Sequence, residues 1–239
     1  LRRLARAWRK SASATPLELA AKEGLALING TCGLTAIGAL AVNRARQLIT
    51  LADVAGAMTL EALRGSFVPF DPRLQAVRPH PGQIATAGNL RRLLRESEVN
   101  QSHRDCGKIQ DSYTLRCIPQ VHGGVRDALG FVAAAVSREL NAATDNPLVF
   151  AREGDVLSGG NFHGHPVAIA LDLLAIALAG LCGFVERRIE RLVNPQLSEL
   201  PAFLVQESGL NSGFMMAQIS AASLAAEARV LASPASVQS

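Results

Sequence analysis

The chain has 239 residues, 49% of them hydrophobic and 18% charged, which supplies a buried core and excludes a disordered chain. Aromatic residues make up 4% while Ala, Leu, Val and Gly dominate, a composition that favours closely packed helices over sheets. The formal charge of +4 is modest, and five of the basic residues, Arg2, Arg3, Arg6, Arg9 and Lys10, stand in the opening ten; binding to nucleic acid or a membrane surface would need a larger patch with interleaved aromatics, so neither partner is expected.

In chain order, Thr15-Pro16-Leu17-Glu18 reads as a helix start, with Thr15 as N-cap, Pro16 at the first helical position and Glu18 closing a capping box. That helix should run to about Ile28. Asn29-Gly30-Thr31 breaks the pattern, because Asn and Gly both tolerate a left-handed backbone, and Gly33 reopens an apolar-periodic stretch reaching about Arg64. Gly65 to Pro72 holds two prolines and two phenylalanines expected to be exposed; it reads as a loop before a polar helix near Ile84 to Val99, with Asn100 to Gly107 a mobile connection.

After Pro119, Val121, Val125, Leu129, Val132, Val136 and Leu140 recur at three- and four-residue steps, a helical stripe that ends near Asn146-Pro147. Leu148 to Phe150 and Val156 to Leu157 flank Glu153-Gly154-Asp155 as a short hairpin. Gly159-Gly160-Asn161, with Asn161 as cap, leads into a long helix to about Val193. Its part from Val167 to Val185 is apolar enough to raise a membrane span, but Asp172 interrupts it and an amphipathic Glu186-Arg-Arg-Ile-Glu-Arg191 follows, so the reading is a buried core helix. Asn194 to Ser208, with Pro195 and Pro201, is a loop, and Asn211 begins a final helix to about Ala232. The four cysteines form no C-x-x-C pair, which speaks against a zinc knuckle or a disulfide framework and fits a reducing, cytoplasmic setting. No signal peptide is visible, and a start without methionine points to a fragment or processed chain.

The densest chemistry lies in Gln110-Asp-Ser-Tyr-Thr-Leu-Arg-Cys-Ile-Pro-Gln120. Tyr113 and Arg116 are three apart and Gln110 a further three back, so a helical turn would point them the same way. The planar fork of arginine suits a carboxylate and a phenol can donate or accept a proton, so the cluster suits an amino acid or another carboxylate. A polar run before a helix is equally a cap or a solvated loop, and spacing alone leaves both open. His163-Gly-His165 lacks third and fourth ligands at a recognisable spacing, so no metal is expected. Ser158, Ser212 and Cys117 lack an evident His partner in a motif.

Four segments, Glu23-Gly-Leu-Ala-Leu-Ile-Asn-Gly-Thr31, Gln110 to Gln120, Ser158-Gly-Gly-Asn-Phe-His163 and Gly209-Leu-Asn-Ser-Gly-Phe-Met215, in this order resemble the aromatic amino-acid ammonia-lyase family. Thr144-Asp-Asn-Pro-Leu-Val-Phe150 and Ser233-Pro-Ala-Ser236 look like family segments too, so the resemblance covers nearly the whole chain. It implies an all-α fold, an elongated bundle of long helices with at most one small hairpin, in which residues 1–239 are a single helical region of a larger lyase domain. It also implies removal of ammonia from an aromatic amino acid to leave an α,β-unsaturated acid, by way of a methylidene-imidazolone electrophile formed from Ala-Ser-Gly and without a metal. Histidine, giving urocanate, is the favoured substrate; tyrosine or phenylalanine lyase and aminomutase activities are the rivals, and a catalytically silent helical assembly partner is the alternative of another class. By similarity Arg116 would hold the substrate carboxylate, Phe162 would line the pocket, Asn29 would bond near the electrophile or carboxylate, Gln110 would act through its amide, and Tyr113 through a phenol near the reacting amine. The family resemblance further implies a homotetramer with composite sites. Two departures accompany it: no Ala-Ser-Gly occurs in these residues, and Ser239 comes just before the point where the family is expected to have a Gln-Glu-Asp segment contributing a site carboxylate. Locally, Cys32 and the Gly164-His165 pair differ from a typical histidine ammonia-lyase, where Ala-Glu is usual after Asn-Phe-His.

Overall fold

A computed structural model describes residues 17–103 and 105–238; the basic opening segment and the Thr15-Pro16 cap lie outside them. Contacts divide the chain into two compact units, Leu1–Cys32 with Ala143–His163, and Gly33–Ala142 with Gly164–Ser239.

In the first unit, helix α1 (Glu23–Ile28) begins later than the capping motif suggests, and Glu18 lies in non-helical backbone. The reason is local: Lys22 takes a left-handed conformation (φ 72°), which stops the helix from extending back through it. The Glu23 carboxylate accepts the Ala20 N–H at 2.6 Å instead. The helix ends at extended Asn29, and Gly30 follows at φ +81°. A Cβ on Gly30 would fall 1.7 Å from the Thr144 carbonyl oxygen, so only glycine fits this turn. Strands β1 (Leu148–Phe150) and β2 (Asp155–Leu157) form the expected hairpin, antiparallel, with Leu148 opposite Leu157 and Val149 opposite Val156. Asn161 is not the helix cap: its Nδ2 donates to the Ala143 carbonyl at 3.4 Å, and the residue before the next helix is Gly164.

The second unit is helical. Helix α2 (Cys32–Ala62) buries Val42, Ala45, Ile49 and Ala52 on one stripe. Helices α3 (Pro72–Ala76), α4 (Pro81–Leu93) and α5 (Glu98–Ser102) follow, then α6 (Tyr113–Arg116) and α7 (Ile118–Glu139). On α7 the predicted stripe holds through Val125, Leu129, Val132 and Val136, which meet the α2 stripe and Ala170, Leu174 and Leu181 of α8 (His165–Val193) in one core. A second core joins Leu60, Phe70, Ala87, Leu90, Leu115 and Ile118. The unit closes with α9 (Pro195–Ser198) and α10 (Met215–Leu231).

The polar helix expected over Ile84–Val99 is in fact two pieces, and Asn100 to Ser102 belong to α5 rather than to a mobile connection, because the Ser97 hydroxyl caps the Asn100 N–H at 3.0 Å and Asn100 Nδ2 bonds the Gly65 carbonyl. Phe70, expected to be exposed, is fully buried and meets Phe67 edge to face at 6.0 Å. Burying a phenyl group contributes about 1.5–3 kcal/mol, which draws the two-proline loop inward and leaves a short 3₁₀ turn over Val68–Phe70. The last helix starts at Met215 rather than Asn211, because Gly213 sits at φ +47° and the Phe214 N–H bonds the Phe203 carbonyl at 2.9 Å. Two stretches, Glu23–Ala62 and His165–Val193, have the length and composition to cross a membrane. In α8, however, Glu186 and Arg188 are buried within the unit and bonded inside it, as a core helix requires.

Candidate functional site

Helix α6 is a single turn whose Leu115 is buried in the second core, which leaves Tyr113 and Arg116 on the other side. The Arg116 guanidinium lies over the Tyr113 ring, 4.6 Å from its centroid, and its Nη1 donates to Gln110 Oε1. The three residues that sequence spacing grouped are therefore brought together. Asp111 ties the segment to the preceding loop by accepting the Ser66 N–H at 2.5 Å. A cavity of about 330 Å³ opens beside them, lined by Gln110, Asp111, Arg116, Cys117 and Gln120 with loop residues such as Val68. A guanidinium braced by a ring and an amide, with N–H groups left for a ligand, is suited to a carboxylate.

Beneath this surface lies a polar network that sequence reasoning missed. Asp53 of α2 is 2% exposed; its carboxylate accepts from His122 Nδ1 at 2.8 Å, from Asn89 Nδ2 at 2.6 Å and from Arg126 Nη2. Burial pulls the Asp53 carboxyl upward, yet these donors outweigh it and hold it below its ordinary value. His122 is pushed down by burial, against the bond to Asp53, and two arginines add to the downward push, so the ring is held neutral. Its Nδ1 then donates to Asp53 and its Nε2 accepts from Arg188 Nη2 at 3.3 Å. Burial lowers Arg188 to about 10, which leaves it charged at neutral pH. The network links α2, α4, α7 and α8. The available signal was Asp53 itself, a carboxylate on the buried stripe of α2, where an acid needs partners.

Asn29 and Phe162 belong to the first unit. Asn29 Nδ2 donates to Asp145 Oδ1 at 2.8 Å, and Lys22 pairs with the same carboxylate. The Lys22 bond first, then those from Asn29 and the Asn146 N–H, hold Asp145 down at about 2. Phe162 is 42% exposed. Asp145 was not among the expected site residues, although it stands in the Thr144 to Phe150 segment. Among the described residues no group of three or more His, Cys, Asp or Glu could hold a metal ion. The three Ser-Gly pairs of the chain follow Leu157, Glu207 and Asn211, so none of these 239 residues can supply an Ala-Ser-Gly.

A profile of the family described as aromatic amino acid lyase matches residues 2–239. Histidine ammonia-lyase of Sorangium cellulosum (strain So ce56) is 59% identical over 234 residues, covering 95% of this chain and 46% of that protein. The enzyme of the same name from Anaeromyxobacter sp. (strain K) is 57% identical, with 96% and 46% covered. Among solved structures, histidine ammonia-lyase from Trypanosoma cruzi superposes with a TM-score of 0.86 at 50% identity, covering 97% of this chain and 43% of that one. Tyrosine aminomutase from Streptomyces globisporus gives 0.90 at 43% identity, with 98% and 48% covered. The chain thus spans about half the length of the curated relatives it matches. A helical unit, an arginine-phenol-amide cluster at a cavity in it, and a match over nearly every residue lead to one conclusion: this chain belongs to the aromatic amino acid lyase family.

Proposed function

We propose that these residues are part of a cytoplasmic histidine ammonia-lyase, which eliminates ammonia from L-histidine to give urocanate, and that Arg116 anchors the substrate carboxylate. The observation that carries the site is the Arg116 guanidinium, oriented by Tyr113 and Gln110 at the edge of a cavity. The choice of histidine follows the identities of 57–59% to histidine ammonia-lyases. The free cysteines fit a reducing compartment.

The electrophile has no source among these residues, so the work assigned to this chain is binding and orientation. A carboxylate entering the cavity takes the guanidinium N–H groups that Gln110 does not occupy, and the paired charges fix the amino acid in one pose. Tyr113, packed against that guanidinium, presents its phenol to the amine end of the same molecule. Asn29, which donates to Asp145, and Phe162 are assigned to substrate handling by the family resemblance. That assembly is a homotetramer with sites built from several subunits. The outward stripe of α2 supports it, since Ile37, Leu40, Leu51 and Met58 are 63–68% exposed, opposite a stripe already buried in the unit.

Arg116→Met in the complete lyase that contains this segment should raise the KM for L-histidine about thirtyfold or more, the equivalent of about 2 kcal/mol or more for losing one partner of a charged pair. Arg116→Lys should recover only part, because an ammonium cannot reproduce the two-pronged contact. An unchanged KM in both would contradict the carboxylate role.

A further inference from the structure

Gln120 stands in the first turn of α7, four residues after Arg116, and lines the same cavity. Its Oε1 is shut off from solvent and has no hydrogen-bond partner among the described residues. Other enclosed amides of this unit are matched: Gln75 Nε2 donates to the Pro69 and Asp71 carbonyls at 3.0 and 3.1 Å, and Gln83 Nε2 donates to Gln75 Oε1 at 2.8 Å. Gln110 Oε1 in the same cavity already receives Arg116. A buried acceptor denied both water and a donor works against folding, and an apolar side chain of the same length would avoid that cost. No donor of this segment satisfies this acceptor, which leaves it for a ligand of the cavity.

We infer that Gln120 is a substrate-binding residue whose Oε1 accepts an N–H from the α-ammonium of the amino acid; this rests on the reading of Arg116 as the carboxylate anchor. In an α-amino acid the ammonium is separated from the carboxylate by one carbon, so a second polar group lining the same cavity as Arg116 is placed to meet it. The ammonium carries only donors, and a neutral amide oxygen accepts from it without being able to take its proton. Gln120 thereby distinguishes an amino acid from a deaminated acid of the same shape.

The test compares Gln120→Met and Arg116→Met in the complete lyase, using L-histidine as substrate and 3-(imidazol-4-yl)propanoate, which keeps the ring and carboxylate but lacks the amine, as competitive inhibitor. Gln120→Met should raise the KM for L-histidine about tenfold while leaving the Ki of the inhibitor unchanged, as expected for one lost hydrogen bond to a charged group. Its thermal midpoint without ligand should equal or exceed that of the parent, since an unmatched buried acceptor is removed. An unchanged KM, an equal rise in KM and Ki, or a fall in the midpoint would each overturn the assignment, the last two by marking Gln120 as structural. Arg116→Met should raise both constants; if it raises neither, the carboxylate anchor itself is overturned, a result distinct from failure at Gln120.

Discussion

Asp53 and His122 show how one buried pair sets a protonation state. Three donors on a single carboxylate outweigh the burial that would neutralise it, and the same burial, with Arg126 and Arg188 nearby, keeps the histidine uncharged. The sign of the pH dependence follows. The folded-state value of His122 is depressed below 6.5, so the unfolded chain takes up a proton that the folded chain refuses. Its contribution to stability is complete above 6.5 and is lost as pH falls from there toward the lowered value. That of Asp53 is complete above its ordinary 3.8 and is lost only as pH falls further, through its own lowered value. The urea midpoint of the parent should therefore decline as pH falls below 6.5, and His122→Gln, which cannot take up a proton, should flatten that decline. An identical slope in the variant would show that the histidine titrates alike in both states. None of this was legible along the chain, because the two partners are 69 residues apart and only the packing of α2 against α7 brings them together. Tyr113 and Arg116 were legible because they share one helical turn, where periodicity determines who faces whom; Gln110 precedes that turn in non-helical backbone and is brought in by its bond from Arg116.

At the level of elements, the crossing of α4 and α7 sets how close the helix behind the site can approach. A Cβ on Gly82 would lie 2.1 Å from the Gly123 carbonyl oxygen, and one on Gly123 would lie 2.4 Å from the Gln83 nitrogen, so backbone meets backbone there. The Asp127 carboxylate also accepts the Gly82 N–H at 2.7 Å, closing the first turn of α4 from the neighbouring helix. Gly82→Ala should lose about 1–3 kcal/mol in urea unfolding, since two backbones must separate. Gly124→Ala, one residue along but facing open space, should be neutral or gain up to about 1 kcal/mol from helix propensity. Equal effects at both positions would mean that the crossing has room to relax. The long helices were legible in outline because their apolar stripes persist over several turns, whereas α3 to α5 were not. There the boundaries depend on side-chain caps from Asp71 and Ser97 and on burial of Phe70, events that a short polar sequence does not announce.

For the whole molecule, composition alone pointed to packed helices, and the fold is all-α with one hairpin. The family was legible from four short segments, yet the chemistry they serve exceeds what 239 residues hold. Relatives are about twice as long, α2 carries an apolar stripe on its outer face, and no Ala-Ser-Gly is present. We propose that this segment binds an amino acid for a lyase reaction whose electrophile is formed by other residues. The most direct measurement is release of ammonium and of an α,β-unsaturated acid from L-histidine, L-tyrosine and L-phenylalanine, by the segment alone and in the complete protein bearing Ala-Ser-Gly. No turnover is expected from the segment alone and urocanate from L-histidine in the complete protein; no ammonium released by the complete protein from any of the three would overturn the assignment.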